Sequence, residues 1–351
     1  METATPDPRS LSRLILDLCR VDSTTGLEAN LLPLLSERLE GLGARIRLQP
    51  VEGGRSNLLA LWSRPRVLFS THLDTVPPYL PPRLENGRIR GRGACDAKGA
   101  MACMLEAIRT LLADGLRGIA FLGVVGEETD SLGARRALEL GPDLAGLEAV
   151  VNGEPTGNRL ATGQKGSLHL RLRCRGKAAH SGTPEAGVNA AFPMLDWIAA
   201  LRRLPLAADP LLGPELWNLG TLSAGRAINI VPDLAEADLF ARIVDGSTFV
   251  EDVQRLRPDL GEVEVVFRRA AERFPAIDGF SFAPMPFASD AHLLRNLARD
   301  RFVVLTGPGS ILVAHTDEEH LDLEEATAGA AQYAALGRLL LARPRGDEYV
   351  I

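Results

Sequence analysis

Ile119-Ala120-Phe121-Leu122-Gly123-Val124-Val125 runs without a polar side chain into Gly126-Glu127-Glu128-Thr129-Asp130. A run this apolar predicts a strand buried on both faces, as in parallel sheets covered by helices. Ligands of such sheets sit just beyond the carboxyl ends of the strands. Two adjacent carboxylates are therefore held where chemistry is usually done. The competing reading of a Glu-Glu pair is a solvated acidic loop, and the rest of the chain decides between the two.

The same pattern recurs on both sides of that stretch. Val67-Leu68-Phe69-Ser70-Thr71 runs into His72-Leu73-Asp74, and Ala149-Val150-Val151 runs into Asn152-Gly153-Glu154-Pro155. Phe302-Val303-Val304-Leu305 ends in Thr306-Gly307-Pro308-Gly309, with His315 shortly after. His72 and Asp74 are two apart, so an extended segment projects both to one side, and a carboxylate so placed can orient a ligating imidazole. Between these strands, Gly91-Arg92-Gly93-Ala94-Cys95-Asp96-Ala97-Lys98-Gly99 precedes a helical pattern over Ala100 to Leu112. It lacks the spacing of a phosphate-binding loop, and Asp96 would set negative charge against a phosphate. An acid exposed at a helix entry suits a cation.

His72, Glu127, Glu128, Glu154 and His315 each come after an apolar strand candidate. Carboxylates gathered at one sheet edge would drive one another's pKa up, and divalent metal resolves the conflict. Five ligands, His72, Asp96, Glu128, Glu154 and His315, suit two ions sharing one carboxylate. Mixed imidazole and carboxylate ligation favours zinc, or cobalt in its place. Glu127 is left over as a general base and acid.

The chain has 351 residues, 46% hydrophobic, which is enough for two domains. Its 39 Lys plus Arg against 45 Asp plus Glu give a net charge of -6 without a basic stripe, so nucleic acid is not an expected partner. The first residues, Met1 to Pro8, carry neither a basic start nor an apolar core, and no apolar run reaches the roughly 20 residues that span a bilayer. A soluble, cytoplasmic protein is expected. Cys19, Cys95, Cys103 and Cys174 lack CxxC spacing and read as reduced, mostly buried thiols.

Leu11 to Val21 and Glu28 to Leu42 carry helical spacing, and Ala44 to Leu48 and Asn57 to Trp62 read as strands. From 166 to 269 the texture changes to that of an α+β insert with a half-exposed sheet. Its expected elements are strands at Ser167 to Cys174, Leu216 to Leu222, Leu234 to Ile243 and Val263 to Phe267, with helices at Ala186 to Leu204 and Ser247 to Leu256. Residues 1–165 and 270–351 then form the main domain, which closes with a helix over Leu323 to Leu341. The tail at Pro344-Arg345-Gly346 reads as disordered. From residue chemistry alone, His180, Asn229 and Arg242 in the insert are a surface His, a turn Asn and a solvated Arg.

Taken together, Ser70-Thr71-His72-Leu73-Asp74-Thr75-Val76-Pro77, the Gly91 to Gly99 stretch, Gly126-Glu127-Glu128 and Asn152-Gly153-Glu154-Pro155 resemble the M20 family of co-catalytic metallohydrolases. That family includes acetylornithine deacetylases, succinyl-diaminopimelate desuccinylases, aminoacylases and glutamate carboxypeptidases, and the resemblance spans essentially the whole chain. It implies an α/β fold, a mostly parallel-sheet di-metal domain interrupted by a smaller α+β lid and dimerisation domain, and hence a homodimer. His72 and Glu154 would hold one ion, Glu128 and His315 the other, and Asp96 would bridge them. Asp74 would support His72, Glu127 would act as base and acid, and the peptide bond after Asp96 would be cis. His180 would reach the active site of the partner subunit and help stabilise the tetrahedral oxyanion there, a role worth about 3 kcal/mol of barrier. Asn229 and Arg242 would bind the substrate near its carboxylate, for which a guanidinium fork is well shaped. Arg226 and Ser289 are further substrate-binding candidates, although Ala288 stands where a glycine is common.

The reaction implied is amide hydrolysis. Arg242 points to a free α-carboxylate on the substrate, and a small N-acyl-L-amino acid, N-acetylornithine first, is the expected substrate. Alternatives are N-succinyl-diaminopimelate, lysine or ornithine released from an amino-group carrier protein, and peptides cut by a carboxypeptidase. A non-catalytic binding protein would have lost a ligand or the base, and none is substituted.

Overall fold

The computed structural model describes residues 8–343. The readings of the first residues and of the Pro344-Arg345-Gly346 tail fall largely or wholly outside them. The chain folds as two compact units, one made of the residues up to Thr162 with Phe274–Ala283 and those from Ser289 on, the other of Gly163–Arg273 with Pro284–Ala288. The class is the mixed α/β arrangement expected, with an antiparallel insert.

The first unit is built on a six-stranded sheet in the order Arg45–Pro50, Ser56–Leu61, Ile119–Val124, Val67–His72, Ala149–Gly153, Val303–Thr306. The last four strands run parallel, with His72 level with Val124, Ser70 with Asn152, and Thr306 with Gly153. Their carboxyl ends thus share one edge, where the loops bearing His72, Glu127, Glu154 and His315 emerge. On its other side Ile119–Val124 pairs antiparallel with Ser56–Leu61, so the fully apolar strand is half in a parallel ladder and half in an antiparallel one. What its composition reports is burial, since all six residues are buried.

Helices Lys98–Ala113, Leu323–Ala342 and Pro8–Arg20 pack on one another. Their apolar sides share a core with Phe69, Phe121 and Val151 of the sheet, and each Phe buried there contributes about 1.5–3 kcal/mol. Tyr333 stands edge-on to Phe69, with ring centroids 6.2 Å apart. The stretch from Glu28 is not one helix. A 3-10 turn, Glu28–Leu31, precedes the α-helix Leu32–Gly41, which carries Pro33 in its first turn, where proline fits because its missing N–H has no partner to lose. The α-helix Leu132–Ala137 likewise adjoins a 3-10 turn, Leu138–Leu140.

The second unit has a four-stranded antiparallel sheet in the order Leu216–Ala224, Leu234–Ile243, Gly166–Arg175, Gly261–Arg269. Along Gly166–Arg175, Leu168, Leu170, Leu172 and Cys174 are buried under the helices Ala191–Leu201 and Phe249–Arg255. The alternate residues face outward in ion pairs, Arg171 to Asp238 at 3.0 Å, Arg173 to Glu236 at 2.8 Å and Arg175 to Glu262 at 2.9 Å. Such exposed pairs contribute about 0–1 kcal/mol each, so the apolar face holds this sheet. The helix expected over Ala186 to Leu204 is shorter, Ala191–Leu201. Val188 exchanges backbone hydrogen bonds with Lys177 at 2.8 and 2.9 Å, which keeps the chain extended there, and Leu204 precedes a proline that disfavours helix.

Among the described residues all four cysteines are free and buried, and no helix is long and apolar enough to cross a membrane. The Asp96–Ala97 peptide bond is cis.

Candidate metal centre

His72 ends its strand fully within the protein. Its Nδ1 lies 2.9 Å from the Asp74 carbonyl oxygen and its Nε2 lies 3.0 Å from Asp96 Oδ1. The other Asp96 oxygen, Oδ2, is 3.3 Å from His315 Nε2. The same nitrogen lies 3.1 and 3.0 Å from the two oxygens of Glu128. One carboxylate is thus held between two imidazoles, one on each oxygen, as a bridging ligand requires. Ligand atoms of His72, Asp96 and Glu128 all fall within 4.8 Å of one another.

Asp96 is buried, 6% exposed, where an exposed acid was expected. The turn that carries it needs glycine at position 93, where φ is +85° and a Cβ would meet the Lys98 side chain at 2.9 Å. His315 also has a left-handed backbone, φ 63°, a conformation that costs a non-glycine residue about 1–3 kcal/mol and gathers at functional sites.

The charges are arranged for a cation. Burial, together with the charges of Glu154 and Asp290, pushes the Glu127 carboxyl well above the usual range. Burial also raises Glu154, relieved in part by His72 and reinforced by Asp96 and Glu128. Glu128 is raised by burial, with His315 opposing. For His72, burial opposes protonation, but hydrogen bonds to Asp74 and Asp96 outweigh it and the imidazole is raised well above its ordinary value. Hydrogen bonds to Asp96 and Glu128 raise His315 to about 10. Burial works against the Asp96 anion, yet its bonds to His315 and His72 lower its pKa. His72, Asp96, Glu128 and His315, with the Asp96 carboxylate touching both imidazoles, form a donor set that fits divalent metal ions.

Asp74 does something its spacing did not foretell. Its Oδ2 accepts the Thr25 hydroxyl at 2.9 Å and the Glu128 N–H at 3.1 Å, while Oδ1 accepts the Glu127 N–H at 3.1 Å and stays 3.5 Å from His72 Nδ1. The carboxylate therefore anchors the backbone of the Glu127-Glu128 loop, and the closest contact to His72 is made by the Asp74 carbonyl. Gly126, φ +75°, lets the chain turn into that loop. Glu154 is buried at 5% exposure and feels the charges of His72, Asp96 and Glu128.

Two further groups were not found in the sequence. Glu319 and Arg92 form a buried pair at 2.5 Å next to the Asp96 turn. Thr316-Asp317-Glu318-Glu319 has no apolar neighbours to signal burial, so only contact reveals it. Asp290, 1% exposed, is also part of the electrostatic surroundings of Glu127 and Glu154.

The remaining candidates lie elsewhere in the chain. Ser289 belongs to the first unit, is fully buried, and its Oγ accepts the Ala291 N–H at 3.3 Å. His180, Asn229, Arg226 and Arg242 belong to the second unit. There the segments of His180 and Asn229 are joined, since Ser181 N–H donates to the Asn229 carbonyl at 3.0 Å and His180 bridges Ile230. Exposed His180 accepts the Gly182 N–H on Nδ1 at 3.0 Å, which leaves Nε2 as the donor. Arg226 is paired with Asp233 at 3.0 Å. Arg242 donates to Ser167 Oγ at 2.8 Å, with its guanidinium 4.9 Å from the centre of the Phe240 ring.

Residues 68–338 match the model of peptidase family M20/M25/M40. A peptidase M20 domain-containing protein of Schizosaccharomyces pombe is 32% identical over 344 residues, covering 93% of this chain and 84% of that one. A probable carboxypeptidase of Aspergillus clavatus is 34% identical over 377 residues, covering 94% and 82%. Among solved structures, a tripeptidase of Staphylococcus aureus superposes with a TM-score of 0.81 at 22% identity, covering 97% of this chain and 100% of that one.

Proposed function

The chain belongs to peptidase family M20/M25/M40, a metallohydrolase of peptide and amide bonds, and from that premise we propose that it is a metallo-carboxypeptidase, releasing the C-terminal residue of short peptides. The observation that carries the hydrolytic reading is Asp96 set between His72 and His315 with Glu128 alongside. The carboxypeptidase names of curated relatives at about one-third identity, such as that of Aspergillus clavatus, favour peptides over the N-acetylornithine expected from the sequence.

In this reading His72, Asp96, Glu128, Glu154 and His315 hold two divalent ions, zinc or cobalt. When bound, these ions supply Lewis acidity toward the scissile carbonyl and toward water. Glu127, half-buried and crowded by Glu154 and Asp290, takes the proton of the attacking water and returns it to the leaving amine. A carboxyl raised by burial suits both directions of that transfer. Asp74 fixes Glu127 by its backbone. His180, a donor through Nε2, stabilises the oxyanion, and Arg242 recognises the terminal carboxylate with Asn229. Arg226 and Ser289 complete the proposed substrate contacts, and the insert serves as a lid and dimer interface.

The test is amino-acid release from N-blocked dipeptides, free di- and tripeptides, N-acetylornithine and N-succinyl amino acids, with zinc or cobalt supplied. Preferred turnover of blocked dipeptides, lost on C-terminal amidation, is expected. Preference for N-acetylornithine would overturn the carboxypeptidase assignment and restore the deacylase.

A further inference from the structure

Glu319 lies four residues past His315 and reaches the turn that carries Asp96. Its Oε1 accepts three backbone N–H groups, those of Gly93 at 2.9 Å, Cys95 at 3.2 Å and Asp96 at 3.1 Å. Its Oε2 takes Arg92 Nη1 at 2.5 Å. The Glu319 carbonyl also accepts the Gly91 N–H at 3.0 Å. Both members of the pair are buried, Glu319 at 1% and Arg92 at 2% exposure. Arg92 in turn donates to the carbonyls of Thr316 at 3.2 Å and Pro78 at 3.3 Å.

The fold delivers Glu319 to this place. Strand His320–Asp322 pairs antiparallel with Arg88–Arg90, so the residue before one strand faces the residue after the other. The three N–H groups belong to a turn at the head of helix Lys98–Ala113, where donors converge and few acceptors are available. A buried carboxylate is costly unless it is paired and hydrogen-bonded, and this one has four donors from the loop that carries Asp96. It is joined through a short backbone segment to the loop that carries His315.

We infer that Glu319 is a positioning residue for the metal centre. Its carboxylate clasps the Gly93 to Asp96 turn to the His315 loop, so the two ligands that share the Asp96 contact are set in register before a cation arrives. Arg92 completes the clasp. Glu319 itself touches no reacting atom. The inference rests on the metal reading above and assigns to that site a residue outside its ligand set.

The experiment compares wild type with Glu319→Gln, which keeps the shape but sets an amide NH2 against either Arg92 or the backbone N–H groups. Cobalt affinity is read by calorimetry, coordination by the visible cobalt spectrum, and kcat and KM are measured separately. Cobalt affinity should fall about 10- to 100-fold, the usual effect of removing a group that orients ligands, with an altered spectrum and a loss in kcat rather than KM. Hydrogen exchange on metal-free wild type keeps the test decisive if the variant does not fold: the amides of Gly93, Cys95 and Asp96 should be protected. Unchanged cobalt affinity and spectrum in Glu319→Gln, or free exchange of those amides in wild type, would overturn the inference and leave the metal reading standing. Wild type that takes up no cobalt would overturn both.

Discussion

The Asp74 carboxylate accepts the backbone N–H of Glu128 at 3.1 Å, so a residue two past one candidate ligand holds the backbone of another. With the Thr25 hydroxyl and the Glu127 N–H it satisfies three donors in a buried place. Asp74→Ala strands all three, and leaving a buried donor unpaired costs about 1–3 kcal/mol. We expect a loss of about 3 kcal/mol in urea unfolding of the metal-free protein, with activity reduced at saturating metal. An unchanged midpoint would show that water replaces the carboxylate.

Glu127→Gln should lower kcat about 10²- to 10⁴-fold, the range for a positioned general base. Cobalt stoichiometry should match wild type, because Glu127 is outside the proposed ligand set. Loss of a cobalt ion in the variant would instead place Glu127 among the ligands.

Metal uptake should release protons. In the metal-free protein His72 is raised well above its ordinary pKa and His315 to about 10, so both carry a proton near neutrality. A ligating imidazole must give it up. Affinity should therefore rise with pH and weaken as pH falls, with at least the two imidazole protons leaving per protein filled, and more if the raised Glu154 carboxyl gives one up as well. Calorimetry in buffers of different ionisation enthalpy counts them, and a heat independent of buffer would refute the coupling.

Arg242→Met should raise KM for peptides with a free C-terminus. A hydrogen bond to a charged group contributes about 1.5–3 kcal/mol, roughly 10- to 100-fold. C-terminal amides, already poor substrates, should be nearly unaffected. An equal effect on both would argue that Arg242 acts through its contacts with Ser167 and Phe240 and not on the substrate.

At Gly307 a Cβ would lie 2.6 Å from the Glu154 carbonyl oxygen and 2.6 Å from Tyr333 Oη. Gly307→Ala must push the Glu154 backbone aside, at about 1–3 kcal/mol for overpacking, and should weaken cobalt binding. Tyr333→Phe in the same chain would remove one clash and leave the other, so rescue should be incomplete. Gly41→Ala, with nothing within 4 Å of its Cβ, is the control.

Much of the molecule is legible in order along the chain, because burial and periodicity are local properties. The apolar runs at Phe69, Phe121, Val151 and Val304 announced the strands, and His72, Glu128, Glu154 and, at a longer remove, His315 follow such runs. Helix ends were less legible, as at Asn189 and Leu201, where a backbone exchange between Val188 and Lys177 decides what propensity leaves open.

By itself the sequence determined which residue types stand past which strands, and with them the class of chemistry available. Tertiary structure alone decided that Asp96 presents one oxygen to each imidazole, that Asp74 serves the Glu127-Glu128 backbone, and that Glu319 is buried against Arg92. The reason is physical. A hydrogen-bond partner is chosen by distance and direction, and residues 224 to 227 positions apart meet only after the sheet and its crossovers bring the loops together. No local pattern records that meeting.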